Sequence, residues 1–228
     1  MLSATDLTLG YGSHILCRHL TLDIQRGECI LLCGPNGSGK STLLRTLAAL
    51  EDPLEGRMER DAEILLVPTG IPKVKGFSLR EFLMTGCYRE SRWSGRLSRE
   101  WQEKTDRALS QLGLSELAEK DLSTLSDGEF QKGCMATALV RDPDMLLLDE
   151  PTAFLDVGNR VSLVRILQQL SQEGKTVLVS SHDLADCLPI CTRVLGLDGK
   201  GRFLDSGPDA PVSRRKAIAK DCFGGVDF

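Results

Sequence analysis

The sequence predicts an α/β fold in which a mostly parallel sheet is flanked by helices, with a small antiparallel β part and a helical insertion. Three observations carry that expectation. The run Gly34-Pro35-Asn36-Gly37-Ser38-Gly39-Lys40-Ser41-Thr42 fills every position of the phosphate-loop pattern G-x-x-x-x-G-K-[ST]. Short apolar runs at 29–33, 64–67, 145–148 and 177–180 read as buried strands, with helical segments between them. Two stretches near the amino terminus alternate apolar with polar residues, as half-buried strands do.

In chain order, Leu7-Thr8-Leu9 and Leu20-Thr21-Leu22-Asp23-Ile24 are the alternating pair, separated by the turn-rich Gly10-Tyr11-Gly12-Ser13. CILLC at 29–33 is the strand entering the phosphate loop, and LLRTLAAL at 43–50 is the helix that the loop opens. Asp52-Pro53 and Gly56 break the chain before the strand ILLV at 64–67, which stops at Pro68. Residues 78–122 read as several short helices: Ser78 with Glu81 forms a capping box, Ser98 is placed to cap the next helix, and Gly113 ends it. The core pattern returns at Leu125. A helix is expected over roughly 127–141, a strand at 145–148 before Asp149-Glu150, a helix over roughly 158–172 stopped by Gly174, and a strand at 177–180. A hairpin follows, with 194–197 and 202–204 flanking Asp198-Gly199-Lys200-Gly201. The expected organisation is one domain over 1–228 with a helical insertion subdomain at about 78–140.

A chain of 228 residues can bury a full core but has no room for a second domain of this kind. Its net charge of -4 and pI near 5.5 give no global attraction to nucleic acid or anionic lipid, so no nucleic-acid partner is expected. Arg214-Arg215-Lys216 reads as a solvated helix end. The eight cysteines (Cys17, Cys29, Cys33, Cys87, Cys134, Cys187, Cys191, Cys222) include no C-x-x-C pair and read as reduced, mostly buried thiols of a cytosolic protein. The amino terminus has neither a basic nor an apolar leader region, and no run approaches a membrane span. The expectation is a cytoplasmic protein whose link to any membrane runs through another polypeptide.

The phosphate-loop spacing has a physical reason. Small residues let backbone N–H groups curl around a β-phosphate, Lys40 reaches the β- and γ-oxygens, and Ser41 offers a hydroxyl to Mg²⁺. Asp149 and Glu150 follow an apolar strand, at the carboxyl edge where ligands of open α/β sheets bind. Asp149 suits the Mg²⁺ shell, and Glu150 suits polarising a water for attack on the γ-phosphate. Ser126 and Gly128, within Leu125-Ser126-Asp127-Gly128-Glu129, suit a helix start that presents a hydroxyl and bare N–H groups to an anion.

In this order and at these spacings the motifs resemble the ATP-binding cassette (ABC) ATPases, a branch of the P-loop NTPases, over nearly the whole chain. Residues 34–42 match the Walker A sequence GPNGSGKST without a departure, and 145–150 match Walker B. LSDGE at 125–129 takes the place of the LSGGQ signature, and Ala153-Phe154-Leu155-Asp156 matches the D-loop. His182 stands where the family has a switch histidine touching the γ-phosphate, and Tyr11 where an aromatic stacks on adenine.

The resemblance implies an ATPase using ATP and Mg²⁺, with Lys40, Glu150 and His182 catalytic and Ser41 and Asp149 on the metal. Tyr11, the loop residues 34–42, Ser126, Asp127, Gly128 and Asp156 would contact nucleotide. Two cassettes would pair head to tail, as a homodimer or with a related ATPase, and drive polytopic permease subunits served by a substrate-binding protein. Such a chain sits peripherally on the inner face of the cell membrane. Thr85-Gly86-Cys87-Tyr88 through Ser94-Gly95-Arg96-Leu97-Ser98 resembles the TGR…W-x-GRLS insertion of iron-siderophore, haem and cobalamin importers. Three departures stand out: Thr69 replaces the Q-loop glutamine after strand 64–67, the stretch 51–67 is short, and Thr137 replaces an arginine. An exporter or maturation ATPase, a weakly hydrolysing regulatory subunit and a non-transport ABC protein remain alternatives.

Overall fold

The computed structural model describes residues 1–86, 99–153, 155–182 and 184–225. Cys87, Trp93, the expected cap Ser98, residues 87–98 of the branch motif and Phe154 of the D-loop lie outside the described residues.

Two sheets form the scaffold. A three-stranded antiparallel sheet, ordered β2-β1-β4, is built from β1 (Leu2–Tyr11), β2 (His14–Ile24) and β4 (Glu55–Arg60). The larger sheet has the order β5-β6-β7-β3-β8-β9. Its strands are β3 (Cys29–Cys33), β5 (Ile64–Val67), β6 (Met145–Asp149), β7 (Thr176–Ser180), β8 (Arg193–Leu197) and β9 (Phe203–Asp205). Pairing is parallel from β5 through β8, and only β9 runs antiparallel. The helices are α1 (Lys40–Leu47), α2 (Leu79–Thr85), α3 (Arg99–Gln111), α4 (Asp127–Val140), α5 (Val157–Gln172), α6 (Leu184–Cys187) and α7 (Val212–Cys222).

Every residue of β3, β6, β7 and β8 is buried, so their middles are apolar without alternation and polar residues stand only at strand ends, at Asp149, Thr176, Ser180 and Arg193. Their side chains still divide by face. Cys29, Leu31 and Cys33 of β3 join Leu146, Leu148, Val177 and Val179 in a cluster with the α2–α5 helices. Ile30 and Leu32 turn the other way, toward Leu43, Leu44 and Leu47 of α1 and the inner face of β1 and β2. The molecule is therefore layered as helices, parallel sheet, then α1 with the antiparallel sheet.

Several expectations shift in detail. The first helix begins at Lys40, not Leu43, so Ser41 and Thr42 belong to its first turn; it ends at Leu47, and Ala49 follows at φ 53°. Strands β1 and β2 are longer than the alternating runs, and their register shifts between Ala4 and Leu7 and again before Gly10. Strand β4, EGRMER, carries no apolar alternation because all but one of its residues are exposed, and it pairs only with β1. Helix α6 lies beyond what the pattern indicated, and the helix end read at 214–216 falls within α7, whose full extent the pattern did not give. The Ser78–Glu81 capping box forms as expected, with Ser78 Oγ accepting from the Glu81 N–H at 3.2 Å and the Ser78 N–H donating back at 2.8 Å. None of the seven described cysteines forms a disulfide with another, and all seven are buried.

Candidate functional site

The phosphate loop leaves β3 and enters α1 through glycines that adopt backbone angles costly for other residues. Gly34, Gly37 and Gly39 stand at φ 148°, 77° and 102°. A Cβ at Gly34 would lie 2.1 Å from the Leu197 carbonyl oxygen, so the loop is pressed against the end of β8. Lys40, only 6% exposed, donates from Nζ to the carbonyls of Gly34 at 2.8 Å and Pro35 at 3.2 Å, and stands 3.8 Å from Glu150 Oε1. Ser38 Oγ is buried and has no hydrogen-bond partner among the described residues.

A cavity of about 430 Å³ opens beside this loop. Asn36, Gly37, Gly39, Lys40, Ser41 and Thr42 form one wall, Tyr11 and Leu16 a second, and Thr69, Asp149 and Glu150 a third. Parallel pairing of β5, β6 and β7 produces this arrangement, because it brings their carboxyl ends to one edge of the sheet. Tyr11 is half exposed, and its hydroxyl is hydrogen-bonded to Thr42 Oγ1. Asp149 is buried and Glu150 partly so. His182, just past β7, places Nδ1 3.3 Å from Glu150 Oε1.

Glu150 itself holds φ 46°, a left-handed conformation that costs a non-glycine residue on the order of 1–3 kcal/mol. Its N–H donates to Ser180 Oγ at 2.9 Å and to the Ser180 carbonyl at 3.2 Å. The Ser180 hydroxyl in turn donates to Asp149 Oδ1 at 2.7 Å.

The signature segment lies elsewhere. Ser126 caps α4 and forms a capping box with Glu129, whose carboxyl is held below its usual range by the Ser126 N–H and hydroxyl. Asp127 borders a separate cavity of about 370 Å³ with Gly70, Lys73, Phe130 and Gln131. Lys73 donates to the Leu125 carbonyl and to Asp127, each at 2.7 Å. Gly128 faces Asn159, and a Cβ there would meet Asn159 Nδ2 at 3.0 Å. Asp156 caps α5 by accepting from the Asn159 N–H at 2.8 Å, which keeps its carboxyl depressed. Ser126, Asp127, Gly128 and Asp156 thus stay apart from the cavity that gathers Tyr11, Lys40, Ser41, Asp149 and Glu150.

The model of the ABC transporter family matches residues 17–153. The chain belongs to the ABC transporter family. As an ABC cassette it is an ATP-binding subunit with ATPase activity, and it has known relatives along most of its length. It is 32% identical to the ferric enterobactin transport ATP-binding protein FepC of Escherichia coli, covering 96% of this chain and 86% of that one. It is 34% identical to the zinc import ATP-binding protein ZnuC of Roseobacter denitrificans, over 87% of this chain and 76% of that one. Among solved structures, a transporter described as of metal-chelate type, in an inward-facing conformation, superposes with a TM-score of 0.84 at 28% identity, covering 91% of this chain and 83% of that chain.

The residues of this ABC cassette fit a magnesium-bound nucleotide triphosphate. The glycine cradle leaves room for phosphate oxygens beside an unpartnered Ser38 hydroxyl, and Ser41 and Asp149 offer oxygen to a hard cation on the same cavity. Two residues escaped the sequence reading. Leu16 lines the cavity but carries no motif signal, being one apolar residue in a strand, and Ser180, buried behind Asp149 and Glu150, reads only as the end of β7.

Proposed function

We propose that the chain is the ATP-hydrolysing motor of an importer for a metal chelate, working as one of two facing cassettes beneath membrane-embedded permease subunits. One observation carries the reading: the residues suited to grip and attack a triphosphate share one cavity, while the signature helix start borders another. A second cassette, a copy of this chain or a related one, completes each site by bringing its own Ser126, Asp127, Gly128 and Asp156 to the nucleotide.

Bound MgATP supplies the γ-phosphoryl group that passes to water. Ser41 and Asp149 would hold the magnesium, which would offset charge on the phosphates, and the backbone of 34–42 would cradle them. Lys40 gives up its bonds to the loop carbonyls to neutralise phosphate charge. Glu150 orients the attacking water and takes its proton, with His182 beside it on the γ-phosphate side. Tyr11 flanks the base.

Ferric enterobactin, zinc and metal chelates are the cargoes named for the relatives above, and the branch motif around Thr85 adds iron-siderophore, haem and cobalamin importers. Iron chelates delivered by a substrate-binding protein are therefore the cargo class we favour. No helix among the described residues is long and apolar enough to cross a membrane, so the permease supplies the attachment to its inner face.

Tagged Glu150→Gln protein tests this reading. Steady-state ATP hydrolysis should fall by roughly two to four powers of ten while ATP binding persists. Captured from native membranes with MgATP, it should bring down a polytopic permease. Wild-type turnover in the variant would remove Glu150 from its role, and recovery of ribosomal or DNA-repair proteins without a permease would overturn the transport reading.

A further inference from the structure

A single buried hydroxyl joins the two acidic residues at the end of β6. Ser180 is completely buried at the carboxyl end of the neighbouring strand β7, directly across the ladder from Asp149. Its Oγ accepts from the Glu150 N–H at 2.9 Å and donates its own proton to Asp149 Oδ1 at 2.7 Å. A serine hydroxyl has one proton to give, and here it goes to the carboxylate. The order is therefore fixed: Glu150 N–H to Ser180 O–H to Asp149 carboxylate.

We infer that Ser180 is a positioning residue for the reaction, which sets the Asp149 carboxylate toward the metal and holds the Glu150 backbone in its left-handed turn. The inference rests on the proposed roles of Asp149 and Glu150. With Oδ1 engaged by Ser180, the plane of the carboxylate is fixed and Oδ2 remains for the metal or its water shell. The same hydroxyl supports the backbone of Glu150, so that the side chain leaves the strand end toward Lys40 and His182. Neither contact involves nucleotide, and each orients a group that does.

The charge-assisted bond to Asp149 has a direct consequence. An oriented carboxylate binds a hard cation better than one free to rotate, and removing such an outer partner costs roughly 10- to 100-fold in metal affinity. The phosphate loop is untouched by Ser180, so affinity for nucleotide without metal should not change.

The test measures ATP binding by calorimetry in the Glu150→Gln chain, once in EDTA and once in excess Mg²⁺, and takes the ratio of the two dissociation constants. Adding Ser180→Ala should lower that ratio about tenfold, leaving the EDTA constant unchanged. Ser180→Thr and Ser180→Val form a second pair of equal shape, in which the threonine hydroxyl should retain the ratio and the valine should lose it. The pair decides the matter if the alanine variant does not fold.

An unchanged ratio in the alanine or valine chain would overturn the inference. Equal losses with and without Mg²⁺ would also overturn it, by reducing Ser180 to a packing residue. If the Glu150→Gln chain with Ser180 intact shows no metal dependence, the fault lies earlier, in the assignment of Ser41 and Asp149 to magnesium, and the inference falls with that assignment.

Discussion

At Thr69 the cavity wall carries a short hydroxyl where the family has a glutamine amide, in reach of the same space as Asp149 and Glu150. A threonine hydroxyl cannot copy a glutamine carbonyl without moving the backbone, and we infer that this chain thereby forgoes one polar contact to the metal or the attacking water. Thr69→Gln should raise the steady-state ATPase rate of the assembled complex by roughly tenfold, the worth of one contact of about 1.4 kcal/mol. An unchanged rate together with unchanged transport coupling would show that Thr69 already does the work. Legibility at this scale follows how tightly chemistry constrains spacing. Lys40, Ser41, Asp149 and Glu150 stand at separations that phosphate and metal geometry demand, and they meet at one cavity. Ser180 was invisible because a serine at a strand end is common, and only its two bonds set it apart.

Four helical starts among the described residues depend on carboxylates. Glu81 and Glu129 close the capping boxes of α2 and α4, Asp121 caps the short turn Leu122–Thr124, and Asp156 caps α5. Each is held below its usual range, chiefly by hydrogen bonds from nearby N–H groups or serine hydroxyls. A carboxyl depressed in the folded state adds stability above its unfolded pKa and loses it as pH falls through the folded one. The melting temperature should therefore be flat from about pH 7 to 5 and drop below about pH 4, where these groups take up protons. Glu81→Gln should shallow that acid slope, and an identical slope would exclude Glu81 as one of its sources. The Ser78 box was readable because its four-residue signature is local. Strand β4 was not, because an exposed edge strand needs no apolar residues, and it is defined by its partner β1.

For the whole molecule, the layered α/β plan followed from four apolar runs and a phosphate loop, whereas the way the two sheets are joined did not. Arg193 of β8 is 4% exposed and spans that junction. It donates to the Asp23 carbonyl on β2 at 2.7 Å, to Glu28 at 3.1 Å and to Asp205 of β9 at 2.5 Å. Such a long-range set of contacts leaves no periodic trace. Arg193→Met would strand Glu28 and Asp205, and should cost about 3–5 kcal/mol in denaturant unfolding; a loss below about 1 kcal/mol would mean that the cluster is dispensable.

The two faces of β3 place a limit of another kind on this chain. Cys29, Leu31 and Cys33 belong to one layer and Ile30 and Leu32 to the other, and Gly34 follows at once. Insertion of a single residue within the strand would exchange the layers and carry the phosphate loop about 3.3 Å along the sheet, away from Asp149. Over generations the apolar residues of β3 can be traded for others of similar volume, but their number cannot drift.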